Sequence, residues 1–405
     1  MAVQRVLVLG AGKVGKSVAE LLLAAGGGAY HVTIADREKS SLEEASAILG
    51  GLKAKVPFAV SFDSRQVDVN DASAVRSLLS GHQYVVCMLP FNFVKGIAEM
   101  ANELGVHYFD VTEDVETTDA VKSIADSGRA KVALVPQCGL APGYIAIAAY
   151  DVAKEFDSVQ SLTLRVGALS QFPTNQLKYN VTWSAAGVVN EYCEPCNVML
   201  HGHKVKVPAL EGLERFSLEG IEYEAFYTSG GVGTLVETLE NEKRLAPEAD
   251  VAYKTIRYPG HRDLMKFLLQ DLGLATEHAT PNGKGQKFDR WLLIDLFDHS
   301  LARTLQDVVV IFVNGIGMKN GRPWQVNFRR NIPATNLLGR PWPAIELTTA
   351  AGVCAMVDLH RLGKLPRQVG FVRQEEVSLP EFSKTVFGKC YDAPGEVEAR
   401  ILGQR

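Results

Sequence analysis

Hydrophobic and polar positions in the first 136 residues alternate between the spacing of strands and the spacing of helices. Short apolar runs of strand length are each followed by a segment whose apolar positions have helical spacing. This alternation predicts right-handed βαβ units and a parallel sheet that helices cover on both faces. We predict strands at residues 6–9, 31–35, 62–67, 84–89, 106–109 and 132–135, and helices at 13–25, 41–49, 72–79, 93–104 and 117–130.

The pattern changes after about residue 138. Segments 161–167, 204–208 and 308–313 have strand spacing, but regular helices do not follow them. Such an arrangement is typical of an α+β domain with a mixed or antiparallel sheet. Helical spacing returns at residues 345–362, and residues 393–405 predict a loose surface tail or a short helix.

Charge and cysteine content exclude several classes of protein. Lys and Arg total 42 against 46 Asp and Glu, so the net charge is −4 and a nucleic-acid partner is not expected. Six cysteines are too few for a disulfide scaffold in 405 residues, which predicts a reducing, cytoplasmic location. Prolines and glycines interrupt the uncharged stretch 132–150, and the first apolar run is short, so we expect neither a membrane span nor a signal peptide.

A glycine-rich turn, GAGKVG, follows the first predicted strand and begins the first predicted helix. Gly10 permits a tight turn, Gly12 lets the backbone approach a pyrophosphate, and Gly15 allows close packing of helix and strand. The helix N-terminus then presents free N–H groups to the phosphates. The spacing predicts a dinucleotide site that includes Gly10, Gly12, Lys13, Val14 and Gly15.

The second predicted strand ends at Asp36 and Arg37, about 20 residues after the glycines. A carboxylate there accepts hydrogen bonds from the adenosine ribose and repels a 2′-phosphate, so Asp36 favours NAD. The Arg37 guanidinium leaves NADP open, because it can pair with that phosphate or stack on adenine. The following strand ends place Asp68 near the adenine, and Leu89 and Pro90 near the nicotinamide; core packing is the alternative for Leu89.

Three carboxylates, Asp110, Glu113 and Asp114, follow the fifth predicted strand. Gathering them is costly unless a cation lies nearby, so we expect Asp110 to face the cleft and to meet a substrate ammonium. The alternative is helix capping by Asp114 or the neighbouring threonine. Cys138 lies in the next strand-end loop, but hydride transfer needs no nucleophile, and we do not assign it a catalytic role.

Cationic groups cluster in the second region of the chain, within otherwise apolar segments. Such groups bind carboxylates or move protons, although each one alone is more often a solvated surface charge, and it is their joint occurrence beside aromatic residues that favours a site. The cluster comprises Arg165, Lys178, Lys254, Arg257 and His261. The nearby Cys193-Glu194-Pro195-Cys196 with His201 and His203 has a gap too short for good tetrahedral geometry, so we predict no metal site.

Several motifs together resemble the saccharopine dehydrogenase family. They are GAGKVG, the ADR and MLPF strand ends, GLAPG, NQLKYNVTWSAAGV, EAFYTSGGVGTL, YKTIRYPGH, TTAAGVCAMVDL and GFVRQEEVSL, and they extend over nearly the whole chain. The resemblance implies an α/β Rossmann domain that the C-terminal segment completes, around an inserted α+β domain that binds substrate and often builds a homodimer. We expect a Rossmann domain at 1–137, the α+β domain at 138–350 and the returning segment at 351–405.

The resemblance also implies lysine metabolism, with a nicotinamide cofactor oxidising a C–N bond of a small amino acid. Glutamate-forming saccharopine dehydrogenase is one candidate activity, and lysine 6-dehydrogenase is the other. Ala141 stands where many saccharopine enzymes carry Asp, and Ala186 stands where some carry Arg, which counts against saccharopine as the substrate. The cationic cluster counts in its favour, because it exceeds what one lysine carboxylate requires. A non-catalytic dinucleotide-binding protein is a third alternative.

We expect the substrate to bind between the two domains, near Asp110, Arg165, Lys178, Tyr179 and Arg257. Its ammonium would lie near Asp110, and its carboxylates near Lys178 and Arg257. A base must take up protons after water adds to the imine, and Asp110, Lys178 and His261 are the candidates. His261 has the most suitable unperturbed pKa.

Overall fold

A computed structural model describes residues 2–275 and 289–403. Contacts divide the chain into two units. The first unit comprises Met1–Asp151, Asn336–Arg340 and Glu346–Arg405, and the second unit comprises Val152–Thr335 and Pro341–Ile345. This division lies at 151/152, whereas the sequence placed it at 137/138, because the strand-end loop and most of the helix after it belong to the first unit.

The first part of the chain alternates strands and helices, as the sequence pattern predicts. Its elements are β1 (Gln4–Leu9), α1 (Lys13–Ala25), β2 (Tyr30–Asp36), α2 (Lys39–Gly51), β3 (Ser61–Gln66), α3 (Ala72–Leu79), β4 (Tyr84–Cys87), α4 (Phe91–Leu104), β5 (His107–Asp110), α5 (Val115–Ile124), β6 (Ala133–Val135) and α6 (Tyr144–Ala153).

Long strands dominate the middle of the chain, and helices separate only some of them. The elements are β7 (Ser158–Ser170), α7 (Ala185–Cys193), β8 (Cys196–Leu200), β9 (His203–Val207), β10 (Glu214–Leu218), β11 (Ile221–Tyr227), α8 (Leu235–Asn241), β12 (Leu245–Arg257), α9 (His261–Lys266), α10 (Arg290–Ser300), β13 (Asp307–Lys319) and β14 (Arg322–Pro333).

The remaining elements bring the chain back to the first unit, and most of the long helix Ala344–Arg361 belongs to that unit. They are β15 (Thr335–Leu337), β16 (Arg340–Trp342), α11 (Ala344–Arg361), β17 (Gly370–Phe371), α12 (Leu379–Lys384) and α13 (Pro394–Ile401). The segment predicted as a tail or short helix therefore forms α13, and Ser378 caps α12 by accepting from the Glu381 amide.

The first unit contains a seven-stranded parallel sheet in the order β17-β6-β5-β4-β1-β2-β3. From β1 the chain moves outward to β2 and β3, and then returns to place β4 on the other side of β1. The strand order therefore reverses between β1 and β4, and ligands of open α/β sheets bind beyond the carboxyl ends of the strands at such a point. This arrangement confirms the predicted Rossmann-type fold.

The second unit contains a mixed eight-stranded sheet with the main order β10-β11-β12-β7-β13-β14, to which β8 and β9 are joined beside β12. β12 and β7 are parallel, while β13 is antiparallel to both β7 and β14. This confirms the predicted α+β architecture. Within the described residues, no helix is long and apolar enough to cross a membrane.

Candidate functional site

Each glycine of the turn after β1 is required, or leaves room, for a different steric reason. Gly10 has φ +104°, and a Cβ there would lie 2.6 Å from the Met88 carbonyl oxygen. A Cβ on Gly15 would collide with the Gly10 carbonyl oxygen. A Cβ on Gly12, in contrast, would meet nothing within 4 Å. The chain therefore needs Gly10 and Gly15 for its own packing, while Gly12 leaves open space where a phosphate can approach.

The first turn of α1 supplies the groups that would hold a pyrophosphate. Gly12 is the N-cap residue of this 13-residue helix and has no side chain to cap it. The first backbone N–H groups of a helix lack partners within the helix and carry the positive end of its dipole. Lys13 is partly exposed, and its Nζ lies 3.7 Å from Glu346 Oε2. These residues fit the diphosphate of a dinucleotide.

Asp36 uses its carboxylate to hold the glycine turn. Oδ2 accepts a hydrogen bond from the Ala11 amide at 2.6 Å, and Oδ1 accepts one from the Glu38 amide at 2.9 Å. The adjacent Arg37 side chain is 69% exposed and lies 3.1 Å from Glu38 Oε1. The structure thus gives Asp36 a positioning role beside the predicted adenosine site, and it presents the Arg37 guanidinium at the surface.

Three further residues predicted to contact the cofactor lie just beyond the carboxyl ends of their strands. Asp68 is exposed after β3 and accepts from the Asn70 amide at 2.9 Å. Leu89 is half-buried and Pro90 is exposed after β4. Their positions agree with the edge at which parallel sheets bind ligands, and their contacts with a cofactor stay a prediction.

Asp110 is buried within the strand-end loops and does not face open space. Its side chain accepts from Tyr108 Oη at 2.8 Å, from the Thr112 amide at 2.9 Å and from the Gln137 amide at 3.0 Å. Burial raises the pKa of Asp110 to about 6. These bonds tie the end of β5 to the loop after β6 and favour a positioning role over the predicted contact with a substrate ammonium. Asp114 caps α5, which was the alternative for this cluster.

The loop after β6 contains a thiol that is held protonated. Cys138 is buried, its Sγ donates to the Val135 carbonyl at 2.9 Å, and burial raises the pKa of this thiol well above its usual value. Gln374, from the GFVRQEEVSL segment, donates from Nε2 to the Pro136 carbonyl at 2.7 Å. No local pattern in the sequence identifies Gln374, because only the fold brings residues separated by 238 positions together.

In the second unit, the predicted cationic cluster is split between the two faces of the sheet. Arg165 of β7 lies opposite Lys254 of β12, and both bind Glu214: Arg165 through Nε, and Lys254 with Nζ 3.3 Å from Oε2. Arg257 is three positions further along β12, so its side chain points to the opposite face. The structure therefore does not bring Arg165 together with Arg257, and Glu214 already neutralises its charge.

Arg257 is buried, with only 2% of its surface exposed, among aromatic side chains. Its Nε donates to Tyr192 Oη at 2.7 Å, its Nη1 donates to the Ile256 carbonyl at 2.9 Å, and its guanidinium lies 5.5 Å from the Tyr179 ring centroid. Within the described residues, no carboxylate lies at ion-pair distance from Arg257, and the buried Glu191 carboxylate acts on its charge from further away. A buried cation without a carboxylate partner is costly, and a substrate carboxylate would compensate it.

Lys178 and His261 belong to the same neighbourhood as Arg257 but differ in exposure. Lys178 is exposed, has φ +52°, and donates from Nζ to the Pro259 carbonyl at 2.8 Å. His261 is buried; its Nδ1 lies 2.8 Å from the Leu177 carbonyl and its Nε2 lies 3.1 Å from Tyr192 Oη. Burial and the charge of Arg257 lower the pKa of His261 to about 3. Both ring nitrogens therefore have internal partners, which disfavours His261 as the predicted base.

The cysteine pair beside α7 is part of the packing of this unit. Cys196 begins β8 and is buried, and burial raises the pKa of its thiol to about 12. His201 lies just before β9, and His203 is the first residue of that strand. Over residues 2–275 and 289–403, no group of three His, Cys, Asp or Glu side chains has the arrangement of a metal site.

Two family models match this chain along most of its length. The model described as "Saccharopine dehydrogenase NADP binding domain" matches residues 6–135. The model described as "Saccharopine dehydrogenase C-terminal domain" matches residues 139–389. The matched ranges include the glycine turn, Asp110 and the Arg257 neighbourhood.

Curated relatives share low sequence identity with the chain. It is 24% identical over 293 residues to "Saccharopine dehydrogenase [NADP(+), L-glutamate-forming]" of Pyricularia oryzae, which covers 69% of this chain and 60% of the relative. It is 25% identical over 291 residues to "Alpha-aminoadipic semialdehyde synthase, mitochondrial" of Bos taurus, which covers 69% of this chain and 29% of the relative. The matches thus span less than two thirds of the length of either relative.

Solved structures show the same fold. Apo saccharopine dehydrogenase (L-Glu forming) from Saccharomyces cerevisiae superposes with a TM-score of 0.72 at 16% identity, covering 95% of this chain and 97% of the other. A homospermidine synthase from Legionella pneumophila, solved in complex with NAD, superposes with a TM-score of 0.59 at 14% identity, covering 96% and 89%. At these identities the likeness concerns the fold alone.

Proposed function

The chain belongs to the saccharopine dehydrogenase family, and from that membership we propose that it is an NADP-dependent dehydrogenase acting on saccharopine. The reaction oxidises the C–N bond of the secondary amine, and water then releases glutamate and aminoadipate semialdehyde. The cofactor, when bound, supplies the hydride acceptor. The residues of the chain bind and orient both reactants.

The cofactor assignment rests on the turn after β1 and on the names of the matched family model and relative. Gly12 leaves room for a phosphate, and the N-terminus of α1 lies beside it. The sequence favoured NAD because of Asp36, but that carboxylate is engaged by the Ala11 and Glu38 amides. The exposed Arg37 guanidinium suits a 2′-phosphate, and the matched descriptions favour NADP.

The buried Arg257 guanidinium is the observation on which we base the substrate class, an amino acid with a free carboxylate. No carboxylate of the described residues pairs with this guanidinium. An amino-acid substrate brings a carboxylate that can accept from the remaining N–H groups of the guanidinium. Lys178 immediately precedes Tyr179, whose ring packs near Arg257. The Lys178 ammonium is exposed, donates to the Pro259 carbonyl and would contact the substrate.

Lysine 6-dehydrogenase is the second candidate activity, and one observation favours it. Saccharopine carries three carboxylates, and the sequence grouped five cationic or protonatable residues that could meet them. Glu214 pairs with both Arg165 and Lys254, and His261 is held neutral, so Arg257 and Lys178 are the cations left in that set. A substrate with one carboxylate, such as lysine, needs no more than these two.

Lys178 is also our candidate for the group that takes up a proton. Of the three residues predicted for this role, Asp110 and His261 are buried and bonded internally, whereas Lys178 is exposed. A homodimer, a cytoplasmic location and a role in lysine metabolism are further proposals that rest on the family resemblance.

A turnover assay tests the proposed function. Purified protein is incubated with saccharopine or lysine, each with NADP or NAD, at alkaline pH, and absorbance of the reduced cofactor is followed. We expect reduction with saccharopine and NADP. Reduction with lysine alone would establish the second candidate, and cofactor binding without turnover of either amine would indicate a non-catalytic dinucleotide-binding protein.

A further inference from the structure

We infer that Tyr192 and His261 form a positioning pair that fixes the Arg257 guanidinium for a substrate carboxylate. This inference rests on the proposed function, because it assigns these two residues a task in binding the same substrate. Neither of them would contact the reacting atoms. Their task is to orient a cation that the sheet alone would leave with several rotamers.

The direction of every hydrogen bond in this group follows from the donors and acceptors present. The Leu177 carbonyl can only accept, so Nδ1 of His261, 2.8 Å away, carries the proton. Nε2 of the neutral ring is then an acceptor, and Tyr192 Oη donates to it over 3.1 Å. The Tyr192 oxygen in turn accepts from Arg257 Nε at 2.7 Å. The three side chains thus form one directed chain of bonds that ends on the main chain.

This chain of bonds leaves one edge of the guanidinium for a ligand. Nε is committed to Tyr192 and Nη1 donates to the Ile256 carbonyl. The Tyr179 and Tyr192 rings lie 5.5 and 5.7 Å from the guanidinium carbon and restrict its rotation. The N–H groups that remain are those that pair with a carboxylate in a planar, two-bond arrangement.

The turn that carries His261 is itself anchored by a buried carboxylate. Glu224, on β11 beside Arg257, accepts from the Gly260 amide at 2.8 Å and from the Arg262 amide at 2.7 Å. These two amides flank His261, so Glu224 fixes the backbone from which the ring projects. No local pattern in the sequence identifies Tyr192 or Glu224, because their partners lie 65 and 36 positions away.

Protonation of His261 would break this arrangement. With a proton on Nε2, His261 and Arg257 would both be hydrogen-bond donors to the Tyr192 oxygen, and the Tyr192 hydroxyl would lose its acceptor. The protonated ring would also place a second positive charge beside Arg257. The titratable groups around the pair are Tyr179, Glu191 and Arg257, with the Glu224 carboxylate bound to the adjacent amides. The lowered pKa of His261 agrees with a ring that is neutral at working pH.

Steady-state kinetics separate a positioning role from a catalytic one. We expect Tyr192→Phe and His261→Leu to raise the KM for the carboxylate substrate by about tenfold or more, with kcat changed by less than about threefold. His261→Gln, whose amide oxygen can accept from Tyr192, should restore most of the affinity. Tyr258→Phe is the control, because Tyr258 Oη donates to the Ser170 carbonyl on the other face of the sheet. A collapse of kcat in His261→Gln, with loss of the acidic limb of the pH profile, would identify His261 as the base and overturn the inference.

A second experiment does not depend on turnover. Nitrogen-15 NMR of the wild-type protein should show His261 as the Nδ1–H tautomer, without titration between about pH 8 and 5. Calorimetric binding of saccharopine to the protein with NADPH should weaken by about tenfold in Tyr192→Phe. Equal binding by the wild type and Tyr192→Phe, or an Nε2–H tautomer, would refute the positioning pair alone. A wild type that neither binds nor oxidises saccharopine or lysine would refute the proposed function, and with it the carboxylate role of the pair.

Discussion

In the first unit, the residues proposed to bind the pyrophosphate lie on one continuous turn, whereas in the second unit Arg257, Tyr192 and Tyr179 come from three separate segments. The turn works through what its glycines lack, since a Cβ on Gly15 would collide with the Gly10 carbonyl. The Arg257 group works through contacts between side chains that only the folded sheet brings together. The comparison teaches that backbone sites are encoded locally and side-chain clusters are not.

We expect the largest effect on activity from replacing the arginines that lie on the two faces of the second sheet. Arg257→Met should lower kcat/KM for the amino-acid substrate by about 100-fold, because it removes a charged donor from a buried carboxylate site. Arg165→Met should change kcat/KM by less than about threefold, since Glu214 keeps Lys254 as a partner on the opposite face. Steady-state kinetics measure both, and equal losses would show that the two arginines serve one site.

The glycines of the turn provide a second contrast, between cofactor binding and folding. Gly12→Ala should leave the melting temperature unchanged and weaken NADPH binding by about 30-fold, because its Cβ meets no protein atom. Gly15→Ala should lower the stability by about 2–4 kcal/mol, because its Cβ overlaps the Gly10 carbonyl. Thermal unfolding and fluorescence titration distinguish the two, and a destabilised Gly12→Ala would contradict the open space.

Acid should destabilise the folded chain through its buried histidines. The pKa of His261 is lowered from 6.5 to about 3, so between these values the unfolded chain binds a proton that the folded chain does not. Stability therefore falls as pH falls through that window, by about 2 kcal/mol from pH 7 to 5 for this ring. His261→Gln should lose less stability over the same range in denaturant titrations. Asp110, whose raised pKa acts in the opposite direction, is common to both proteins. Parallel pH profiles would contradict the buried neutral ring.

Arg37 tests the choice between the two cofactors. Arg37→Ala should raise the KM for NADP by about tenfold and leave the KM for NAD unchanged, because only NADP carries a phosphate for the guanidinium. Lys53→Ala removes the same charge from an exposed position after α2 and is the control. If both cofactors are affected equally, Arg37 stacks on adenine instead.

Asp110 should give the smallest effect. In Asp110→Asn, the amide oxygen can still accept from the Thr112 and Gln137 amides while the NH₂ group donates to Tyr108 Oη, so kcat should stay within about threefold of wild type. Retention of activity would support a positioning role. A loss of more than about 100-fold would restore the predicted contact with substrate or its role as a base.

Much of the fold was predictable because its signals are local. The alternation of apolar runs and helical spacing anticipates β1 to β6 and their helices within a few residues, and the later strand runs anticipate a mixed sheet. The lengths of β7 and β13 were underestimated and β12 was not predicted, since β7 pairs with both β12 and β13, which lie far from it in the chain. Domain boundaries also shifted, because α6 packs largely by contacts that no local pattern records.

The candidate site divided in the same way. Gly10, Gly12 and Gly15 lie where the spacing predicted, at the end of β1 and the start of α1, because the glycine spacing itself occupies six consecutive residues. The steric need for Gly10 also depends on the distant Met88 carbonyl, which only the fold brings close. Arg165 and Arg257 were grouped together because charge and neighbouring aromatics do not reveal on which face of a strand a side chain lies. Counting alternate positions along β12 separates Lys254 from Arg257 only once the strand bounds are known.

By itself, the sequence determined the family, the alternation of strands and helices, and the place of the phosphate turn, since each depends on residues close together in the chain. The tertiary structure alone decided which charged groups are compensated. It assigned Glu214 to Arg165, two backbone amides to Asp36, and Tyr192 with His261 to Arg257. The physical reason is that burial and pairing, which set the free energy of a charge, are properties of a neighbourhood in space and not of a stretch of chain.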